Sequence, residues 1–231
     1  METLLANAAV RSLRAGRVAR MGGVGLLAAV MVGNPVVAAG QEWAQFRGPG
    51  ASGVVPDNPR LPERWSATDN VGWRTAVPGL AWSSPIVARG MVFVTTVVSE
   101  GEVEAPEGGW YAGGERDVPG DRHHWLVYGL DIESGETLWR TEVHAGVPES
   151  SNHLKNTFGS ATPVTDGEYL YVLFGNLGLY ALDFDGAVRW SRELPPASTR
   201  AGWGTASSPA LHAGRLYLVA DTEEQSYIAA V

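Results

Sequence analysis

Two acidic turns carry the most regular chemistry-bearing pattern in the chain. Leu130-Asp131 is followed by Gly135 and Trp139, and Leu182-Asp183 by Gly186 and Trp190. A carboxylate in such a place is a potential base or cation ligand, but one standing just ahead of unpaired backbone N–H groups also closes an Asx turn, which is the reading the spacing favours. Asp221 with Glu223 and Glu224 follows a strand end and reads as a solvated acidic turn or a cation site. His123, His124, His144, His153 and His212 are scattered, with no His-x-x-x-His pair and no flanking carboxylate to orient them. A metal site is therefore not expected. The polar run Ser151-Asn152-His153-Leu154-Lys155-Asn156 precedes a strand, and His153, Lys155 and Asn156 are its candidate ligand-contacting side chains. No residue is assigned a catalytic role: G-x-S-x-G, P-loop and dinucleotide patterns are absent.

Composition narrows the chemistry further. The 231 residues include no cysteine, which removes thiolate nucleophiles, disulfides and the acylated cysteine of a lipoprotein. A formal charge of −8 supplies no bulk phosphate-neutralising surface, so nucleic acid is excluded as the expected partner. Arg11, Arg14, Arg17 and Arg20 precede an apolar run from Met21 to Val32, then Gly33-Asn34-Pro35 and the small residues Ala38-Ala39-Gly40. Residues 1–39 therefore read as a cleavable signal peptide, with a run too short to span a bilayer. The expectation is export to the periplasm or outside the cell, with no stable membrane insertion after cleavage.

The elements that must position these residues repeat. Ser83-Ser84-Pro85, Ala161-Thr162-Pro163 and Ser207-Ser208-Pro209 each open an apolar strand, a glycine turn and a returning strand of alternating β-branched or aromatic residues. The two Asp-Gly-Trp turns follow as the third and fourth strands of such a unit. Pro163 and Pro209 are 46 residues apart, the size of a propeller blade. The pattern predicts an all-β chain, a β-propeller of four-stranded antiparallel blades with about three blades present. Its parts are an extended arm over residues 40–71 carrying Trp43, Phe46 and Arg47; a closing strand at 72–77 with Trp73; a blade at 84–143 with a loop insertion at 99–124; a blade at 161–194; and a partial blade at 207–231. A propeller needs about four to eight blades to close. Closure is thus expected to need the remainder of a longer chain, or several chains in one ring.

The paired motifs Leu130-Asp131 to Trp139 and Leu182-Asp183 to Trp190 resemble the tryptophan-docking motif of PQQ-binding-like β-propeller repeat proteins, a superfamily that includes BamB and the quinoprotein dehydrogenases. The resemblance spans about residues 41–231 and implies that Trp73, Trp139 and Trp190 pack between blades while Asp131, Gly135, Asp183 and Gly186 shape the turns. For function it implies a non-catalytic binding or scaffold module that presents its channel-mouth loops to a protein partner or small ligand, with no cofactor. Two alternatives remain: a dehydrogenase using PQQ and calcium, from which the vicinal disulfide is missing here, and the extracytoplasmic sensor of a kinase.

Overall fold

The computed structural model describes residues 42–103, 117–175, 177–195 and 198–231. The signal-peptide reading and the middle of the 99–124 insertion lie outside the described residues. Those residues form an all-β propeller unit of three antiparallel sheets, with two short 3-10 turns and no α-helix. The first sheet runs β1 (Ile86–Ala88), β2 (Met91–Ser99), β3 (His123–Asp131) and β4 (Thr137–Gly146), in that order. The second repeats it with β5 (Val164–Thr165), β6 (Leu170–Phe174), β7 (Gly178–Leu182) and β8 (Val188–Glu193). The third contains β9 (Ala210–His212), β10 (Arg215–Ala220) and β11 (Tyr227–Ala230).

Alternation along the strands explains how the sheets stack. On β2, Phe93 and Val97 face a core shared with Leu170, Val172, Phe174 and Leu182 of the second sheet. Val92, Val94 and Val98 point the other way, toward Tyr128, Leu130, Trp73 and Val77. A third cluster joins the second and third sheets through Leu173, Leu179, Leu216 and Leu218. The second sheet thus packs a neighbouring sheet on each face, as blades do.

The short first strands gather on one side. Ser84 N–H donates to Thr162 Oγ1 at 3.0 Å, and Thr162 N–H donates to Ser208 Oγ at 3.0 Å. The hydroxyls of Thr162 and Ser208 therefore each satisfy the matching amide of the preceding blade. The arm crosses this same edge: Trp43 exchanges two backbone hydrogen bonds with Val87, and Thr165 N–H donates to Ala44 C=O. Val87 and Thr165 are equivalent positions of successive blades, so two adjacent arm residues clip two adjacent first strands. Gly48, at φ +66°, leaves the space that the Trp43 ring fills.

Residues 72–77 join no ladder among the described residues. Side chains hold them instead. Trp73 Nε1 donates to Ile132 C=O at 2.8 Å, and Thr75 Oγ1 donates to Gly135 C=O at 2.5 Å.

Candidate functional site

The seam between blades is built from the turn upward. Asp131 Oδ1 accepts from the N–H groups of Glu133 and Ser134 and from the Ser134 hydroxyl. Those bonds, led by the Ser134 N–H, hold its carboxyl below the usual aspartate range. Asp183 Oδ1 accepts from Asp185 and Ala187 N–H, while Oδ2 takes the Arg189 guanidinium. Burial pushes the Asp183 carboxyl up, but the Ala187 N–H and Arg189 outweigh it and the net direction is down. Both aspartates are thus occupied within their own turns.

Those turns receive the tryptophan of the preceding unit. Trp139 Nε1 donates to Phe184 C=O at 2.8 Å and Thr141 Oγ1 to Gly186 C=O at 2.6 Å, matching the Trp73 and Thr75 contacts on the turn before. Gly135 at φ +71° and Gly186 at φ +84° adopt left-handed backbone, and a Cβ on either would overlap the docked indole, at 2.3 Å from Trp73 and 2.6 Å from Trp139. A register shift between Gly129 and Leu130, and another between Ala181 and Leu182, precede Trp139 and Trp190 on their strands. The extra residues are Leu138 and Arg189, and the tryptophans after them stay paired with Gly129 and Ala181. Trp190 is the exception among the three: it lies against Tyr171, is 39% exposed and meets no docking turn among the described residues.

Gly129, Thr75, Thr141 and the Ser84-Thr162-Ser208 series are functional in this seam but carry no chemical signal of their own. A Cβ on Gly129 would come within 2.3 Å of the Trp139 ring. The recurring hydroxyl before proline and the repeated Trp-Arg-Thr, at Trp73 and again at Trp139, are the sequence marks by which they could have been found.

At the opposite end from the Asp-Gly turns, the β2–β3 and β4–β5 connections meet. Asn156 is the knot of this end. Its Nδ2 donates to Trp203 C=O at 2.8 Å and Thr205 C=O at 3.3 Å, and its Oδ1 accepts from Thr157 N–H and Ser160 Oγ. Its amide therefore ties the β4–β5 loop to the β8–β9 loop. Ser151 Oγ, buried, adds a bond to Gly202 C=O. His153 packs edge-on against Trp203 and accepts the Lys155 N–H at Nδ1, which places its proton on Nε2 when neutral.

Between the β2–β3 and β4–β5 connections lies a cleft of about 670 Å³. Leu80, Val97, Val103, Val118, Leu154 and Phe158 supply its apolar wall; Glu102, Asp117, Asp121, His123, His153 and Asn156 supply polar groups. Thus His153 and Asn156 of the predicted loop residues line the cleft, and Lys155 stands beside it. His123 is the wall residue that sequence reasoning missed, since nothing in a His-His pair at a strand start distinguishes the buried ring from the exposed one. A smaller hollow of about 40 Å³ beneath, between Trp125, Phe158, Phe174 and Thr205, has room for water and nothing larger.

Among the described residues no group of three His, Cys, Asp or Glu side chains is placed to hold a metal ion. No helix among them is long and apolar enough to cross a membrane.

No curated protein matches the chain. Solved structures similar to it include BamB from Moraxella catarrhalis, at 18% identity and TM-score 0.40 over 69% of this chain and 36% of that one. Quinohemoprotein alcohol dehydrogenase ADHIIG from Pseudomonas putida HK5 is similar at 17% identity and TM-score 0.39, over 68% of this chain and 20% of that one. The chain thus spans about a third and a fifth of the lengths of these two proteins. Residues 54–220, well over half the sequence, match the family model described as outer membrane protein assembly factor BamB, and with its repeated blades and interblade indoles the chain belongs to that family.

Proposed function

We propose that the chain is a non-catalytic binding module of an exported, periplasmic protein, and that the cleft between its β2–β3 and β4–β5 connections is where a partner is held. The single observation that carries this reading is the contrast between the two ends of the sheets. At the Asp-Gly end every singled-out polar group is consumed by its own turn or the neighbouring indole. At the other end, the β4–β5 loop, held to the β8–β9 loop by Asn156 and Ser151, lines a large cleft of mixed polarity together with residues of the β2–β3 connection. A braced cleft of this size suits a small ligand or a peptide segment. The family name concerns outer-membrane assembly, which makes a segment of another envelope protein the occupant this reading favours.

A fragment screen by ligand-observed NMR tests the reading. Hits should weaken or disappear in Leu154→Trp, whose larger side chain intrudes on the cleft wall. Hits that survive Leu154→Trp, or none at millimolar fragment concentration, defeat it. PQQ with calcium belongs in the same screen, and tight quinone binding would favour the oxidoreductase alternative instead.

A further inference from the structure

The cleft has a sign as well as a volume. Its described walls carry three carboxylates, on Glu102, Asp117 and Asp121, and no lysine or arginine. Arg122 and Lys155 adjoin wall residues in the chain but are not wall residues themselves. An independent feature points the same way. His123, 7% exposed, is part of the wall, and its Nδ1 lies 2.8 Å from Asp121 C=O. A carbonyl only accepts, so Nδ1 holds a proton, and in the neutral ring Nε2 keeps its lone pair. Nε2 has no hydrogen-bond partner among the described residues. Buried acceptors are seldom left unpaired unless a ligand or water supplies the donor. The ring cannot swing to find one, because it packs against Trp125 at 5.9 Å and Phe158 at 5.5 Å.

We propose that the cleft takes a cationic nitrogen carried on an apolar stem, the chemistry of an arginine or lysine side chain in an extended peptide. The N–H donates to His123 Nε2, the charge faces Glu102, Asp117 and Asp121, and the stem lies along Leu80, Val118 and Phe158. The proposal rests on the binding role given above and adds the class of ligand.

The test is calorimetry of the full chain with acetyl-Leu-Arg-Leu-amide and its citrulline counterpart, which keeps the shape and loses the charge. The arginine peptide should bind about tenfold tighter or more, because charge-assisted hydrogen bonds to buried acceptors are the strong ones. That advantage should shrink as salt is raised to about 0.5 M. His123→Phe, which keeps the ring packing and removes the acceptor, should erase most of the difference. Asp117→Asn, at an exposed position, should reduce it without touching the core. Equal binding of the two peptides, or a preference for a glutamate peptide, overturns the cation assignment; if Leu154→Trp still abolishes that binding, the binding role of the cleft stands. Binding of free agmatine with none of the arginine peptide would overturn the peptide as source while keeping the cation. Failure of every peptide and of every fragment overturns both proposals.

Discussion

Trp139 lies across two glycines, Gly129 in the neighbouring strand of its own sheet and Gly186 in the turn of the next. Contact at both faces of the indole, with its N–H on Phe184 C=O, is what a docking residue needs: large apolar area and a satisfied polar edge. Gly186 and Gly167 separate the two costs of adding a methyl group there. Both sit at positive φ, but a Cβ on Gly167 meets nothing within 4 Å while one on Gly186 meets the indole. Gly167→Ala should lose about 1–2 kcal/mol from backbone strain alone. Gly186→Ala should lose that and a further 1–3 kcal/mol or so from the overlap. Urea unfolding of the two variants measures the difference, and equal losses would remove the docking role from this turn. Trp139→Ala should cost roughly 3–5 kcal/mol, whereas Trp139→Phe keeps much of the area and should lose about 1 kcal/mol more than its volume change requires, for the hydrogen bond.

At the scale of elements, a strand start becomes an interblade connector through one hydroxyl. Thr162 is 2% exposed and its Oγ1 is the acceptor for Ser84 N–H. Thr162→Val keeps the shape and strands that amide, which should cost about 1–3 kcal/mol and speed hydrogen exchange at Ser84. Thr162→Ser should restore both, and unchanged exchange in the valine variant would show that the bond is not made in solution. Much of this architecture was legible beforehand, because a blade repeats: Pro85, Pro163 and Pro209 mark the first strands, and the Asp-Gly-Trp spacing marks the third turn. Residues 72–77 were readable as a copy of the fourth strand, yet what secures them is an indole and a hydroxyl reaching the Ile132–Gly135 turn, not a ladder. The candidate site was less legible. Asn156 looked like a ligand contact, but an amide with four hydrogen-bonding atoms is equally suited to tie two loops, and only the neighbourhood of Trp203 and Thr205 decides its use. His123 and His124 are adjacent and opposite in fate, since alternation along β3 buries one against Trp125 and Phe158 and leaves the other at the surface.

For the whole molecule the charged groups place stability in a window of pH. His124 Nδ1 lies 2.8 Å from Glu142 and its Nε2 2.9 Å from Glu100, joining β4 to the connection that follows β2. The Glu100 and Glu142 carboxylates raise its pKa above the ordinary histidine value. The imidazolium therefore binds its proton more tightly in the folded chain than in the unfolded one. By linkage its contribution is complete below the unfolded value of about 6.5 and fades as pH rises through the raised folded value. Asp131, Asp166 and Asp183 act with the opposite sign. Burial pushes Asp166 and Asp183 up, but turn N–H groups, with Tyr171 hydroxyl at Asp166 and Arg189 at Asp183, outweigh it. Turn N–H groups hold Asp131 low too, so the contribution of all three is present above the ordinary aspartate value of about 3.9 and is lost as pH falls through the depressed one. Together these groups place greatest stability near pH 5–6, roughly between the two reference values. The melting temperature should decline from about pH 6 to about pH 9 in the native chain. His124→Gln retains hydrogen-bonding capacity without the charge, so it should flatten the alkaline limb and leave the acid limb in place. Coincident profiles for the two proteins would mean that Glu100 and Glu142 hold His124 no more tightly in the folded chain than solvent does in the unfolded one.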